Sequence, residues 1–464
     1  MDRRLLLALP VVLLLAAALG IHRVKAAPKR AFERGLNALY RGQYAGAVRE
    51  FGSALKSDPE NPRAHYFRGL AYKELRKLPE AATDLGRALE LDPSLVGAAY
   101  QRALARRELG DPAGALSDLD QAIAAHAGEP ALFYARAKTL LDQGREALAE
   151  KDFDAALARQ PEFPAALAGR GELRLRRLAK AQALGDYDKA VALDRGYAPA
   201  YLGRADAHFS FGRDHYPQCF RDLEQALKIN PKSIQTLRRR AGIYLALNDF
   251  ESAVADLTRA IGLNPRGQGL YFERGTAAQG WSISRDDRGL ADRSIRDLSK
   301  AVELSPKWIA PYVMRAHVRA PMLLDFEGAR ADLKAASRLN PKDAGVYDEL
   351  CTLGMLEQRL KDALQSCNRA VDLSPKQKRN YITRCRVLNR LGDPREALKD
   401  CERALALDPF DEGAYMVRGE VREKLGDTRL ALEDFERTVE LNPHRRKTLE
   451  ETLARLRAKV GGRR

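Results

Sequence analysis

The chain has 464 residues, 79 basic and 63 acidic, for a net charge of +16, and 45% of its residues are hydrophobic. That length has room for three ordinary domains, and the basic excess invites a nucleic-acid reading. The excess sits at the ends, however: residues 1–34 carry seven basic and two acidic side chains and residues 444–464 eight and two, leaving only +5 between them. A basic groove would concentrate charge in the body, so nucleic acid is not the expected partner; charged ends suit anionic lipid or plain solubility.

Leu5–Ile21 is a run of 17 uncharged, mostly apolar residues behind Arg3 and Arg4. It is long for the core of a signal peptide and short for a membrane span. Ala16-Ala17-Ala18 and Val24-Lys25-Ala26 are candidate cleavage sites, and no cysteine follows the run to take a lipid anchor. His22, Arg23, Lys25, Lys29 and Arg30 crowd its downstream side, which opposes easy export. Residues 1–27 are therefore expected to be a signal peptide or an uncleaved membrane anchor, placing the bulk of the chain at or beyond a membrane, in the cell envelope, with its orientation open.

From there the chain is punctuated by Asp, Asn or Ser followed by proline, at Pro59, Pro93, Pro231, Pro265, Pro306, Pro341, Pro375, Pro409 and Pro443. Successive steps are 34, 138, 34, 41, 35, 34, 34 and 34, and the long gap divides near Ala127, Pro161 and Arg195. A fixed period of this size marks stacked repeats. Each period reads as two helices. Tyr66, Leu70 and Tyr72 lie in a first segment; Ala81, Leu85, Ala88 and Leu89 recur at helical spacing in a second, which the following proline ends.

With position 1 at Pro28, Gly35, Ala47, Phe51, Ala54 and Pro59, then Gly69, Tyr72, Ala81, Ala88 and Pro93, fall at positions 8, 11, 20, 24, 27 and 32. On these residues the chain resembles the tetratricopeptide repeat (TPR) family. The resemblance covers twelve units from Pro28 to Pro443 and implies an all-α, right-handed superhelical solenoid of antiparallel helix pairs. Residues 28–443 are expected to form one solenoid. Leu449, Leu453, Leu456 and Val460 stripe a last helix within 444–464, which should cap it.

Position 7 is arginine in eleven units, from Arg34 and Arg68 through Arg384 and Arg418, and position 23 is acidic in the same eleven, from Glu50 and Asp84 through Asp400 and Asp434. The tenth unit loses both together, with Leu350 and Ser366. Antiparallel helices joined near position 15 place these positions opposite each other, so the pattern is read as structural ion pairs rather than an anion-binding ladder. Cys351 and Cys367, and Cys385 and Cys401, are likewise 16 apart at positions 8 and 24. They are either buried free thiols or two disulfides, the latter requiring an oxidising compartment. Cys219 falls on core position 20. His208, His215 and Cys219 have only a loose metal-like spacing, and no metal site is expected.

In this family the first helices line the concave face, which directs the search for a partner site. Position 5 carries Phe32, Tyr66, Tyr100 and Tyr134 in four successive units, with Arg63, Lys73, Arg107, Lys138 and Arg176 as candidate flanks. Such a strip either contacts an extended peptide bearing acidic groups or simply packs. It degrades to Ala168, Leu202 and Arg238, and Tyr197 stands outside it. The asparagines of the clamp by which some members hold a chaperone tail are missing; Leu36, Leu70 and Leu104 occupy position 9. Unit eight is longer than the others by seven residues, the excess lying around Trp281–Arg293, read as a loop insertion that could add Trp281 to a binding face.

Nothing suggests catalysis: there is no His-Glu-x-x-His, no phosphate-cradling glycine loop and no nucleophile elbow. The expected function is a non-enzymatic interaction scaffold or adaptor at a bacterial-type membrane or envelope, without cofactor, binding a partner protein or peptide through Phe32, Tyr66, Tyr100, Tyr134, Lys73, Arg107, Lys138 and Trp281. The alternative is an envelope carbohydrate- or polymer-handling factor that uses the same aromatics.

Overall fold

The computed structural model describes residues 26–461. Their regular structure is helical, 25 α-helices with two single 3-10 turns and no strand among the described residues. The run Leu5–Ile21 lies outside the described residues, and no described helix is long and apolar enough to cross a membrane. The chain divides into two compact units between Pro231 and Lys232. The first holds six helix pairs, and the second holds six more and a final helix.

Each pair is built alike. Pro62–Glu74 starts at Asn61, whose side chain accepts from the Ala64 amide, with proline as its first residue. Arg76 at φ 60° then reverses the chain into Leu78–Leu91. Every pair has one such left-handed residue, a glycine in six of the twelve. Asp92 ends the second helix in extended conformation, as the residue before proline must. Tyrosines at position 4 secure the punctuation: Tyr312, Tyr381 and Tyr415 donate to the carbonyls of Pro306, Pro375 and Pro409 at 3.0–3.3 Å.

Position 20 supplies the close contact between paired helices. Ten alanines, from Ala47 to Ala431, with Cys219 and Ser294 in the other two units, are fully buried there. Within the first unit each first helix also touches the first helix of the next pair, while successive second helices make no comparable contact, so first helices form the inner layer.

Glycine is required where a large side chain at position 24 fills the gap. A Cβ on Gly171 would stand 3.0 Å from the Tyr187 ring, and one on Gly203, in the next first helix, 2.2 Å from it. Gly203→Ala is therefore expected to destabilise the protein by ~1–3 kcal/mol through overpacking. Gly185→Ala, with nothing within 4 Å, should stabilise it by ~0.5–1 kcal/mol because alanine is the better helix former. Thermal melts should shift in opposite directions.

The unit-eight insertion is not a loop. Its residues lengthen both helices, Gln268–Arg285 to 18 residues and Arg288–Leu304 to 17, against 13 and 14 in the preceding pair. Asp286 turns the chain at φ 50° and Asp287 caps the second helix. About two extra turns can be added this way because seven residues are close to two helical periods. The final helix, Arg446–Gly461, covers the last pair as expected: Leu449, Leu453 and Leu456 pack on Ala431, Phe435 and Val439.

Candidate functional site

All eleven arginine–acid pairs form. Arg68 donates from Nε and Nη2 to the two carboxylate oxygens of Asp84 at 2.6 and 2.7 Å. The fork recurs down to Arg418–Asp434, while Arg34 reaches Glu50 with Nε alone at 2.8 Å. Four aspartates hold a second guanidinium one helical turn on, from Arg106, Arg174, Arg319 and Arg422. These arginines are engaged within the fold and do not form an anion-binding ladder.

The third nitrogen carries a contact that pair spacing did not reveal. Nη1 of Arg136, Arg170 and Arg204 donates to Asp120, Asp154 and Asp188 of the preceding second helix at 2.7–2.9 Å. Arg274, Arg315 and Arg384 do the same to Thr258, Ser299 and Asn368. One arginine thus ties its own pair together and that pair to the one before.

The cysteines of the second unit are two disulfides. Cys351–Cys367 has a Cα–Cα distance of 5.2 Å and Cys385–Cys401 one of 5.9 Å. Cys219 is a buried free thiol. His208 and His215 stack at 5.4 Å between ring centroids. No group of three metal-ligating side chains exists among the described residues.

The aromatic strip lies on the inner layer of the first unit, half-buried, and its members differ in role. Phe32 sits edge-on to Phe51 and Phe67, at 5.6 and 5.8 Å, and is held in an aromatic core. Tyr66 lies over Gly97, where a Cβ would come within 2.9 Å of the hydroxyl. Tyr134 packs on Phe153 and Phe163, its hydroxyl lies beside that of Tyr197, and Tyr100 is close enough to interact with both tyrosines. Tyr197 thus joins the cluster, although it stands outside the position-5 register.

A rim of both signs borders these rings. Lys138 pairs with Glu172 at 2.7 Å, and Arg176 holds the other oxygen of Glu172 at 2.8 Å. Burial would raise the Glu172 carboxyl, but Lys138 and Arg176 outweigh it and hold it below its usual range. Arg107 stands 3.7 Å from Asp142. Lys73 donates to Gln101, and burial lowers its pKa. Trp281 belongs to the second compact unit, near the end of its lengthened first helix, with Arg285 5.9 Å over the ring.

Burial pushes the Tyr66 and Tyr100 phenols up to about 12. A folded-state pKa above the unfolded value of about 10 means the unfolded state loses the proton first. Their contribution to stability is therefore full below pH ~10 and lost as pH rises through ~12. A tyrosinate absorbance titration should show these phenols ionising about two units above tyrosines exposed in the unfolded chain, together with loss of folded structure.

A second polar cluster, not foreseen from sequence, lies in the second unit. Arg379 contacts Asp348 at 2.8 Å and Glu349 at 2.6 Å, and His317 reaches Glu349 at 2.6 Å. Burial raises Asp348, whereas for Glu349 it is outweighed by His317 and Arg379, which lower it.

Stacked antiparallel helix pairs with a recurrent interior ion pair and an inner layer of first helices define a helical-repeat protein. Family models for the tetratricopeptide repeat match residues 32–96, 100–151, 134–198, 386–446 and 237–266. The chain belongs to the tetratricopeptide repeat family. It is 24% identical over 185 residues to the Hsp70-Hsp90 organizing protein of Triticum aestivum, a match covering 39% of this chain and 31% of that protein. The chain thus spans about a third of the length of that curated relative. Yeast Tom70 superimposes over 94% of this chain and 96% of its own, at 20% identity and a TM-score of 0.47. A tetratricopeptide repeat protein from Parabacteroides merdae does so over 54% and 98%, also at 20% identity and 0.47.

Proposed function

We propose that the chain is an adaptor of the bacterial-type cell envelope, tethered or exported through Leu5–Ile21, that holds an extended segment of a partner protein on the inner layer of its first unit. The carrying observation is the Tyr100–Tyr134–Tyr197 cluster with its rim of Arg107, Lys138, Glu172 and Arg176. Half-buried, hydroxyl-bearing rings already fixed by their neighbours offer contact area at small entropic cost. Arg107 is the rim cation most open to a partner carboxylate, because 3.7 Å to Asp142 is a loose ion pair rather than a hydrogen bond. The two disulfides support an oxidising compartment.

A photoreactive phenylalanine at Tyr100 of the full chain, expressed in its own cells, tests the surface. The control is the turn residue Leu178, 78% exposed; Tyr197 cannot serve, since it touches Tyr134. A discrete protein adduct from Tyr100 alone is expected. No adduct, or the same adducts from Leu178, would overturn the reading. Location is tested separately by alkylating denatured protein taken directly from cells: one reactive thiol, Cys219, is expected, and five would refute export.

A further inference from the structure

We propose that the notch between the first two helix pairs binds a phosphate group, with Arg68 Nη1, Arg49, Lys56 and Ser53 supplying its donors. One position of the repeat sets this joint apart. At position 25, Asp120, Asp154 and Asp188 each present a carboxylate to the Nη1 of the arginine in the next first helix. At the joint between Tyr44–Ser57 and Pro62–Glu74 the same position is Gly52, which has no side chain to offer. A Cβ there would stand 3.8 Å from Arg68 Nη1 with nothing else near, so the place that aspartate fills elsewhere is open. Nε and Nη2 of Arg68 are held by Asp84, while Nη1 makes no hydrogen bond with another described residue.

The opening is a shallow notch lined by Arg49, Gly52, Ser53, Leu55, Lys56 and Arg68. Arg49, Gly52, Ser53 and Lys56 are spaced i, i+3, i+4 and i+7, one face of the second helix. Neither Arg49 nor Lys56 has an ion pair among the described residues, and the nearby Glu50 is held by Arg34. Two unneutralised cations, a hydroxyl and a fixed guanidinium N–H thus converge where the fold elsewhere places an anionic oxygen. Such a set suits a phosphate, whose several oxygens take charge-assisted hydrogen bonds together. The next joint shows what the notch requires. Gly86 also leaves position 25 bare, but a Cβ there would lie 3.2 Å from Arg102 Nη1, and the flanking Arg87 is paired with Glu90 at 2.9 Å. The first joint has both the room and the charge.

The phosphate comes either from solution or from an anionic lipid headgroup, and two probes separate these sources. Inorganic phosphate is titrated into the full chain by calorimetry, and retention on phosphatidylglycerol vesicles is compared with retention on phosphatidylcholine vesicles. The informative variant is Gly52→Asp, which restores the carboxylate that other joints carry and should melt at or above the wild-type temperature. Losing the Nη1 site should weaken binding at least about tenfold. A difference between the two proteins with inorganic phosphate identifies a soluble ligand, and one with anionic vesicles alone identifies a headgroup. Equal responses of wild type and Gly52→Asp to both probes would overturn the proposal. Lys56→Gln, an exposed change, should weaken the same response without altering the melt.

Discussion

Asp118→Ala is expected to lower stability by ~3–5 kcal/mol, the range for stripping one partner from a buried ion pair. Asp118 is 3% exposed and is gripped by Arg102 through two nitrogens and by Arg106 through a third. Removing it strands two guanidinium groups at a helix-pair interface, where the desolvation penalty is no longer offset. Asp120→Ala is the control: its side chain is 61% exposed and, among the described residues, it pairs only with Arg136 Nη1, so a loss of ~0–1 kcal/mol is expected. Denaturant melts that rank the two equally would remove the interior pairs as determinants of stability.

The second large effect concerns the pair formed by Ala344–Leu356 and Leu360–Leu373. It lacks the arginine–acid pair, and Leu350 turns instead into an apolar cluster with Ala316, Ala320 and Leu333. Its cross-helix tie is Cys351–Cys367, one residue beyond each lost partner. The next pair keeps Arg384–Asp400 as well as Cys385–Cys401. Closing a loop of this length contributes ~3 kcal/mol. Replacing Cys351 and Cys367 together by alanine should therefore cost more than replacing Cys385 and Cys401, because only the first change leaves a pair with neither the arginine–acid pair nor a disulfide, held by apolar packing alone. Reducing agent should lower the wild-type melt and leave the quadruple variant unmoved. The reverse ranking would show that the disulfide does not stand in for the ion pair.

How much of this was legible depended on periodicity. Positions 7 and 23 announced themselves because they vary together, and unit ten lost both at once; helix pairing then placed them opposite each other. The disulfides followed the same 16-residue spacing but stayed ambiguous, since compartment and distance cannot be read from spacing alone. The Nη1 contact escaped because its acceptor is Asp, Thr, Ser or Asn in different units, chemically equivalent but not alike as letters. Tyr197 was missed because it lies at the end of a connecting turn and reaches Tyr134 from outside the position-5 register. Trp281–Arg293 was misread as a loop because Ser, Asp and Gly suggest a turn, whereas tertiary contact between two extended helices overrides local propensity there.

The variable acceptor at position 25 has a consequence for how the array opens. A repeat protein loses structure roughly as a row of neighbouring elements, each held by its own stability and by the joint to the next. The first two joints carry glycine where the fourth, fifth and sixth pairs find aspartate. Amide exchange in the first unit should accordingly be fastest through Ala26–Tyr40 and Tyr44–Ser57 and slow progressively toward Lys180–Leu193, a zipper with one loose end. An occupied Gly52 notch would fasten that end, so a small anion at a single joint could set how readily the whole row begins to part.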